Sequence, residues 1–192
     1  MLQTFSGRRA SQDAGELGAF VALLLERGVH SYLEIGARHG DTFHHVMTSL
    51  PKGSRGVAVD LPGGLWGTDK SRNHLTKVVA DLRSRGYDAQ LMFGDSQTAG
   101  TEKMIFNRGP YDAALIDGDH SYAGVSRDWA LYRKVAPIVA FHDIVGHDQV
   151  EKVHGKPVEV PRLWAEIKAS GMRTLEFVSP RSKMGIGVCL TT

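Results

Sequence analysis

Five short apolar runs in this 192-residue sequence each end in a glycine or an acidic residue, and these endings carry most of its side chains suited to chemistry. The first run ends in Glu34-Ile35-Gly36-Ala37-Arg38-His39-Gly40-Asp41. Gly36 and Gly40 allow a tight turn and close approach of a ligand to the backbone, just ahead of a helix N-terminus. The second run ends in Asp60, about twenty residues past Gly40, where a carboxylate can accept from both hydroxyls of a ribose. The third ends in Gly94-Asp95-Ser96, the fourth in Asp117-Gly118-Asp119-His120 and the fifth in His142-Asp143. Carboxylates and imidazoles in the last two groups can move a proton or hold a divalent cation. Taken singly, each signal has a plainer explanation: a Gly-x-x-x-Gly turn is mostly structural, and a lone Asp after a strand more often caps a helix. Five such endings in succession point instead to a nucleotide-type cofactor.

The elements that must position these residues alternate along the chain. Leu17, Phe20, Leu24 and Leu25 recur at helical spacing and predict a helix over 13–27. Strands are expected at Ser31–Ile35, Gly56–Val59, Ala89–Phe93, Asp112–Ile116 and Ala136–Phe141. Asp41 is expected to N-cap a helix carrying Phe43, Val46, Met47 and Leu50. Further helices are marked by Leu75, Val78, Val79 and Leu82, and by Tyr122, Val125, Trp129 and Tyr132. A polar stretch after the fifth strand, with Gly146, Gly155, Pro157 and Pro161, reads as a loop over a site. A helix near Pro161–Ala169 and strands at Thr174–Val178 and Met184–Leu190 close the chain. Alternation of this kind implies an α/β domain with a largely parallel sheet, its ligand outside the carboxyl ends of the strands. Asp117, Asp119, His120, His142 and Asp143 would then converge on one edge. His147 and His154 fall in the long loop, which could close on substrate; Trp66, between Pro62 and Thr68, would stack on a ring or pack on a helix.

Composition removes several classes. Net charge is +2, and Lys and Arg never occur three in a row, so no nucleic-acid footprint is expected. The lone Cys189 makes neither a disulfide framework nor a CxxC metal signature. No apolar stretch approaches the ~20 residues that span a bilayer, and the N-terminus lacks an apolar segment suited to a signal peptide. A single soluble, cytoplasmic domain over 1–192, free of membrane partners, is the expectation.

The cofactor is narrowed by what the first turn lacks. A dinucleotide site favours Gly-x-Gly-x-x-Gly, and here Arg38 stands at the second glycine. Acidic groups at 34, 60 and 95 instead suit an amine, a diol and an exocyclic amino group, the polar groups of S-adenosylmethionine. YLEIGARHGDT resembles motif I of class I S-adenosylmethionine-dependent methyltransferases, VAVD motif II and FGDS motif III. YDAALIDGDHSYAGVSRDW followed by VAFHDI is similar to a small-molecule branch, the macrocin-type O-methyltransferases and relatives of cephalosporin hydroxylase; VPRLWAEI and GIGV also resemble it. The likeness covers roughly residues 30–190, and IDGDHSY is its most specific part. Motif I lacks its middle glycine, and VAPIVAFHD lacks the usual Pro-Gly-Gly before strand five.

The resemblance implies a three-layer Rossmann-like fold: a mostly parallel seven-stranded sheet, helices on both faces and an antiparallel C-terminal strand. It implies that Glu34, Gly36 and Gly40 line the methionine tail, that Asp60 holds the ribose, and that Asp95 and Ser96 face the adenine. Asp117, His142 and Asp143 fall where related enzymes hold a divalent cation, Mg²⁺ or Mn²⁺; Asp117, His120 and His142 are the candidate catalytic groups. Imidazole is a poor Mg²⁺ ligand, so His142 favours a softer ion or none. The implied activity is methyl transfer to a hydroxyl of a small molecule: a sugar, a phenol or a natural product. Competing readings are an NAD(P)-dependent oxidoreductase, a non-catalytic cofactor-binding module and an iron- and oxygen-dependent hydroxylase on the same fold.

Overall fold

The computed structural model describes residues 12–64, 70–146, 149–150, 155–180 and 182–191. Trp66, His147 and His154 lie outside the described residues. The chain runs α1 (Ala14–Glu26), β1 (Ser31–Ile35), α2 (Asp41–Ser49), β2 (Arg55–Asp60), α3 (Lys70–Ser84), β3 (Asp88–Phe93), α4 (Ala99–Arg108), β4 (Ala113–Ile116), α5 (Tyr122–Tyr132), β5 (Ile138–His142), α6 (Val160–Ala169), β6 (Arg173–Phe177) and β7 (Ile186–Leu190).

The seven strands form one sheet in the order β3-β2-β1-β4-β5-β7-β6. The first five are mutually parallel, and β7 runs antiparallel to both β5 and β6. Side chains on successive strand residues point to opposite faces, so β1 feeds two cores. Tyr32 packs with Leu17, Phe20, Phe43, Met47 and Leu75 on the α1–α3 face. Leu33 and Ile35 pack with Val125, Trp129 and Trp164 on the opposite face, beside α4–α6. There Trp129, Phe141 and Trp164 form a chain of rings with centroids 5.6 and 5.9 Å apart. Strand order reverses between β1 and β4, and the crevice of such a sheet opens above that point.

One local expectation is corrected, and one helix is added. Gly40, at φ 83, occupies the N-cap of α2, and Asp41 is the first helical residue, where its charge still complements the helix dipole. Helix α4 has no counterpart in the periodicity, because only Thr101 and Ile105 of its side chains are buried. Helices α1 and α5 do carry side-chain caps: Asp13 accepts from the Gly15 and Glu16 amides, and Ser121 from that of Gly124. Each such cap stabilises by about 1 kcal/mol. No helix among the described residues is long and apolar enough to cross a membrane.

Candidate active site

All five parallel strand ends open into one cavity of about 590 Å³. Glu34, Gly36, Gly40, Asp60, Asp95, Ser96, Asp117, His120, His142 and Asp143 all line it.

The first turn is built by backbone pairing. The Gly36 and Ala37 amides donate to the Val59 carbonyl at 2.9 and 3.1 Å, and the Asp117 amide donates to that of Ile35 at 2.9 Å. The glycines are required by the protein's own packing as much as by a ligand. A Cβ on Gly36 (φ 87) would lie 2.2 Å from the Asp117 carbonyl oxygen, and one on Gly40 would lie 2.6 Å from Leu75 Cδ1. Between them Arg38 takes φ 49, and its amide donates to Asp60 Oδ1 at 2.9 Å. Ser71 donates to Asp60 Oδ2 at 3.3 Å. Burial raises the Asp60 pKa above its ordinary value, opposed by the Arg38 and Ser71 hydrogen bonds and by the charges of Arg38 and Arg72.

Glu34 is buried beneath the turn and accepts from the Tyr32 hydroxyl at 2.7 Å. Burial is the main cause that pushes its carboxyl up to about 8; nearby Asp117 and Asp60 add to it, while hydrogen bonds from Tyr32 and the Phe43 amide oppose it.

The β3–α4 turn is clamped from α5. Ser96 Oγ donates to Asp128 Oδ1 at 3.0 Å, the Tyr132 hydroxyl donates to the Ser96 carbonyl at 2.6 Å, and Arg127 donates to the Gln97 carbonyl at 2.8 Å. The Ser96 hydroxyl is thus engaged with the protein, whereas Asp95 is exposed and accepts from the Gln97 amide at 2.8 Å. Asp128, fully buried, is pushed up to about 7 by burial, with Asp119 and Asp95 adding to the shift.

The other end of the cavity holds the predicted Asp/His groups in a single cluster. His120 Nε2 lies 3.4 Å from Asp117 Oδ1, and its Nδ1 lies 3.1 Å from Asp143 Oδ2. His142 Nδ1 lies 3.2 Å from Asp117 Oδ1 and 3.5 Å from Asp143 Oδ1. Burial disfavours the charged form of both rings, but the hydrogen bonds and charges of Asp117 and Asp143 outweigh it. His120 is thereby pushed up to about 10, and His142 lies well above its ordinary value. Burial likewise works against both carboxylates, and the two rings overcome it and hold them below the usual range.

Asp143 sits at φ 61, and with Arg38 it is one of two non-glycine residues at positive φ among the described residues. Each costs on the order of 1–2 kcal/mol, and both line this cavity, as expected where function dictates backbone shape.

Among the described residues, Asp117, His120 and Asp143 form a group whose ligand atoms lie within 4.8 Å of one another. His120, read from the sequence as a catalytic group, therefore has the placement of a cation ligand. His142 Nε2 is buried with no hydrogen-bond partner. From the β5–α6 loop, Gln149, Val150 and Val158 also line the cavity, together with Met184.

Sequence reasoning missed Gln12, Thr42 and Asp128. Gln12 Nε2 donates to Asp117 Oδ2 at 3.0 Å, and the Thr42 hydroxyl donates to Gln12 Oε1. Only the polar character of Thr42 and Asp128 on helices with apolar neighbours could have drawn attention to them.

No curated protein matches the sequence. Among solved structures, the O-methyltransferase from Bacillus cereus in complex with SAH is 17% identical. It has a TM-score of 0.66, and the match covers 96% of this chain and 85% of that one. The O-methyltransferase TomG from Streptomyces achromogenes, involved in tomaymycin synthesis and solved with SAM, is 16% identical with a TM-score of 0.67, covering 95% of this chain and 82% of that one. Both likenesses establish the Rossmann-like methyltransferase fold. In sequence, residues 33–144 match the family described as methyltransferase domain. That span runs from β1 to just past Asp143 and includes every strand end that lines the cavity, so the chain belongs to the methyltransferase-domain family.

Proposed function

We propose that the chain, acting as one domain over 1–192 in the cytoplasm, transfers a methyl group from S-adenosylmethionine to a hydroxyl oxygen of a small molecule. The observation that carries this reading is that the Glu34–Asp60 cradle and the Asp117/His120/His142/Asp143 cluster open into the same cavity. Glu34, Gly36 and Gly40 would line the methionine tail, Asp60 would accept the ribose hydroxyls, and the turn at Asp95 and Ser96 would border the adenine. When bound, S-adenosylmethionine supplies a methyl group already activated by its sulfonium.

The acceptor is the harder partner, since an alcohol must be oriented in line and must lose a proton. His120 and His142 both pair with Asp117 and Asp143, and His120 would have to shed a ring proton to ligate a cation. The donor set of two carboxylates and one imidazole fits a first-row divalent ion such as Mn²⁺ better than Mg²⁺, which favours oxygen ligands throughout. Asp117, His120 and Asp143 would hold it, with His142 adjacent, and its chemistry there is Lewis acidity toward the acceptor oxygen. Val150, Val158 and Met184 would offer apolar contacts to an acceptor in the same cavity.

The test is isothermal titration with S-adenosylhomocysteine, with NADH as the control, followed by transfer of labelled methyl to a panel of sugars, phenols and small natural products with and without Mn²⁺. One S-adenosylhomocysteine per chain and Mn²⁺-dependent labelling are expected. Binding of NADH in its place rejects the reading.

A further inference from the structure

Gln12 stands just before Asp13, the N-cap of α1, and lines the cavity, far in sequence from every strand end. The residues that follow it are well anchored. Asp13 caps α1 and accepts from the Ser179 hydroxyl at 2.6 Å, while Glu16 accepts from the Ser179 and Gly185 amides at 2.8 and 3.2 Å. The α1 N-terminus is thereby docked on the β6–β7 turn, and the Gln12 side chain reaches inward from a fixed base. It is 8% exposed and joins two other lining residues, Thr42 of α2 and Asp117 at the end of β4.

The direction of each bond follows from chemistry. An ionised carboxylate only accepts, so the Gln12 amide nitrogen must face Asp117. The amide oxygen then faces Thr42, whose hydroxyl must donate. Gln12 takes Oδ2 of Asp117, and the histidines approach Oδ1, at 3.4 Å from His120 and 3.2 Å from His142. The two oxygens of one carboxylate are thus divided between a fixed protein donor and the cluster. We propose that Gln12 is a positioning residue that pins Asp117 through Oδ2, presenting Oδ1 to a divalent cation, and that Thr42 holds Gln12 in the orientation this needs. The assignment rests on the cation-assisted reading of the site. Hydrogen-bond partners of a metal-ligating carboxylate fix its orientation, and their loss typically weakens binding 10–100-fold.

Mn²⁺ binding, followed by electron paramagnetic resonance and calorimetry, tests this on the full chain. Gln12→Ala is expected to weaken Mn²⁺ binding about tenfold or more while the melting temperature of cation-free protein moves by only a few degrees. Thr42→Val is expected to weaken it by a smaller factor, Thr42→Ser to restore it, and the double variant Q12A/T42V to match Gln12→Ala, because Thr42 acts only through Gln12. A purely structural Gln12 would lower the melting temperature and leave Mn²⁺ affinity alone. Wild-type affinity in Gln12→Ala, or additive losses in the double variant, overturns the assignment while the cation site stands. Absence of Mn²⁺ binding to the wild type is a different result: it removes the cation reading, and the role of Gln12 with it.

Discussion

Glu34→Gln should make the cofactor-free protein more stable, and increasingly so as pH rises. Glu34 is buried at 2% exposure, and its carboxyl is pushed from an ordinary 4.5 up to about 8, chiefly by burial. A carboxyl whose pKa is raised on folding favours the folded state fully below its unfolded pKa, and that contribution is lost as pH rises through the folded value. The window therefore runs from about 4.5 to about 8. Between pH 6 and pH 8 the linkage amounts to about 2 kcal/mol, and across the whole window to roughly 5 kcal/mol, at 1.36 kcal/mol per pKa unit. Glutamine has nearly the same shape, can still accept from Tyr32 or Phe43, and never ionises. Urea unfolding of both proteins at pH 6, 7, 8 and 9 isolates the effect, because every other titrating group is common to the pair. The difference in unfolding free energy should grow by about 2 kcal/mol from pH 6 to 8 and level off above 9. A difference that does not vary with pH would refute the reasoning, and so would a glutamine variant that is the less stable of the two at pH 9. The same substitution should weaken S-adenosylmethionine binding, because a neutral amide is a poorer partner for the cofactor's ammonium group.

Asp60→Ala should lower S-adenosylhomocysteine affinity at least about tenfold by calorimetry. It should also cost the cofactor-free protein about 1–3 kcal/mol, because the Arg38 amide and the Ser71 hydroxyl lose their acceptor; an unchanged dissociation constant would make Asp60 a turn residue only. Asp128→Asn should gain on the wild type by about 2–3 kcal/mol between pH 5 and 8, since Asp128 is raised from 3.8 to about 7 and its favourable contribution is lost over that range; parallel stability curves would count against it. Gly36→Ala should unfold the turn or sharply cut soluble yield. Positive φ alone costs an L-residue on the order of 1–2 kcal/mol, and the new methyl would also meet the Asp117 carbonyl; a wild-type melting temperature would contradict that geometry.

How much of this was legible depended on how far each signal reaches along the chain. The strands were readable because each is a short apolar run punctuated by glycine or aspartate. A largely parallel sheet with the fourth and fifth strands adjacent was enough to expect Asp117, His120, His142 and Asp143 on one edge, where they meet. Helix α4 was not readable, because Thr101 and Ile105 are too thin a stripe to set a helical period. Gln12 was beyond reach for another reason: its partner Asp117 lies 105 residues away, and nothing local distinguishes that glutamine from a solvated one. The meaning of a correctly chosen letter could also shift. Gly36 was singled out for close approach of a ligand, yet the approach visible here is that of the Asp117 backbone, whose carbonyl fills the space a side chain would need. That contact joins the two halves of the site. The β4 terminus lies against the β1 turn at Gly36, so the residue permitting the turn also sets where Asp117 stands. Arg38 and Asp143, strained on either side of that junction, are where the local conformational cost of this arrangement falls.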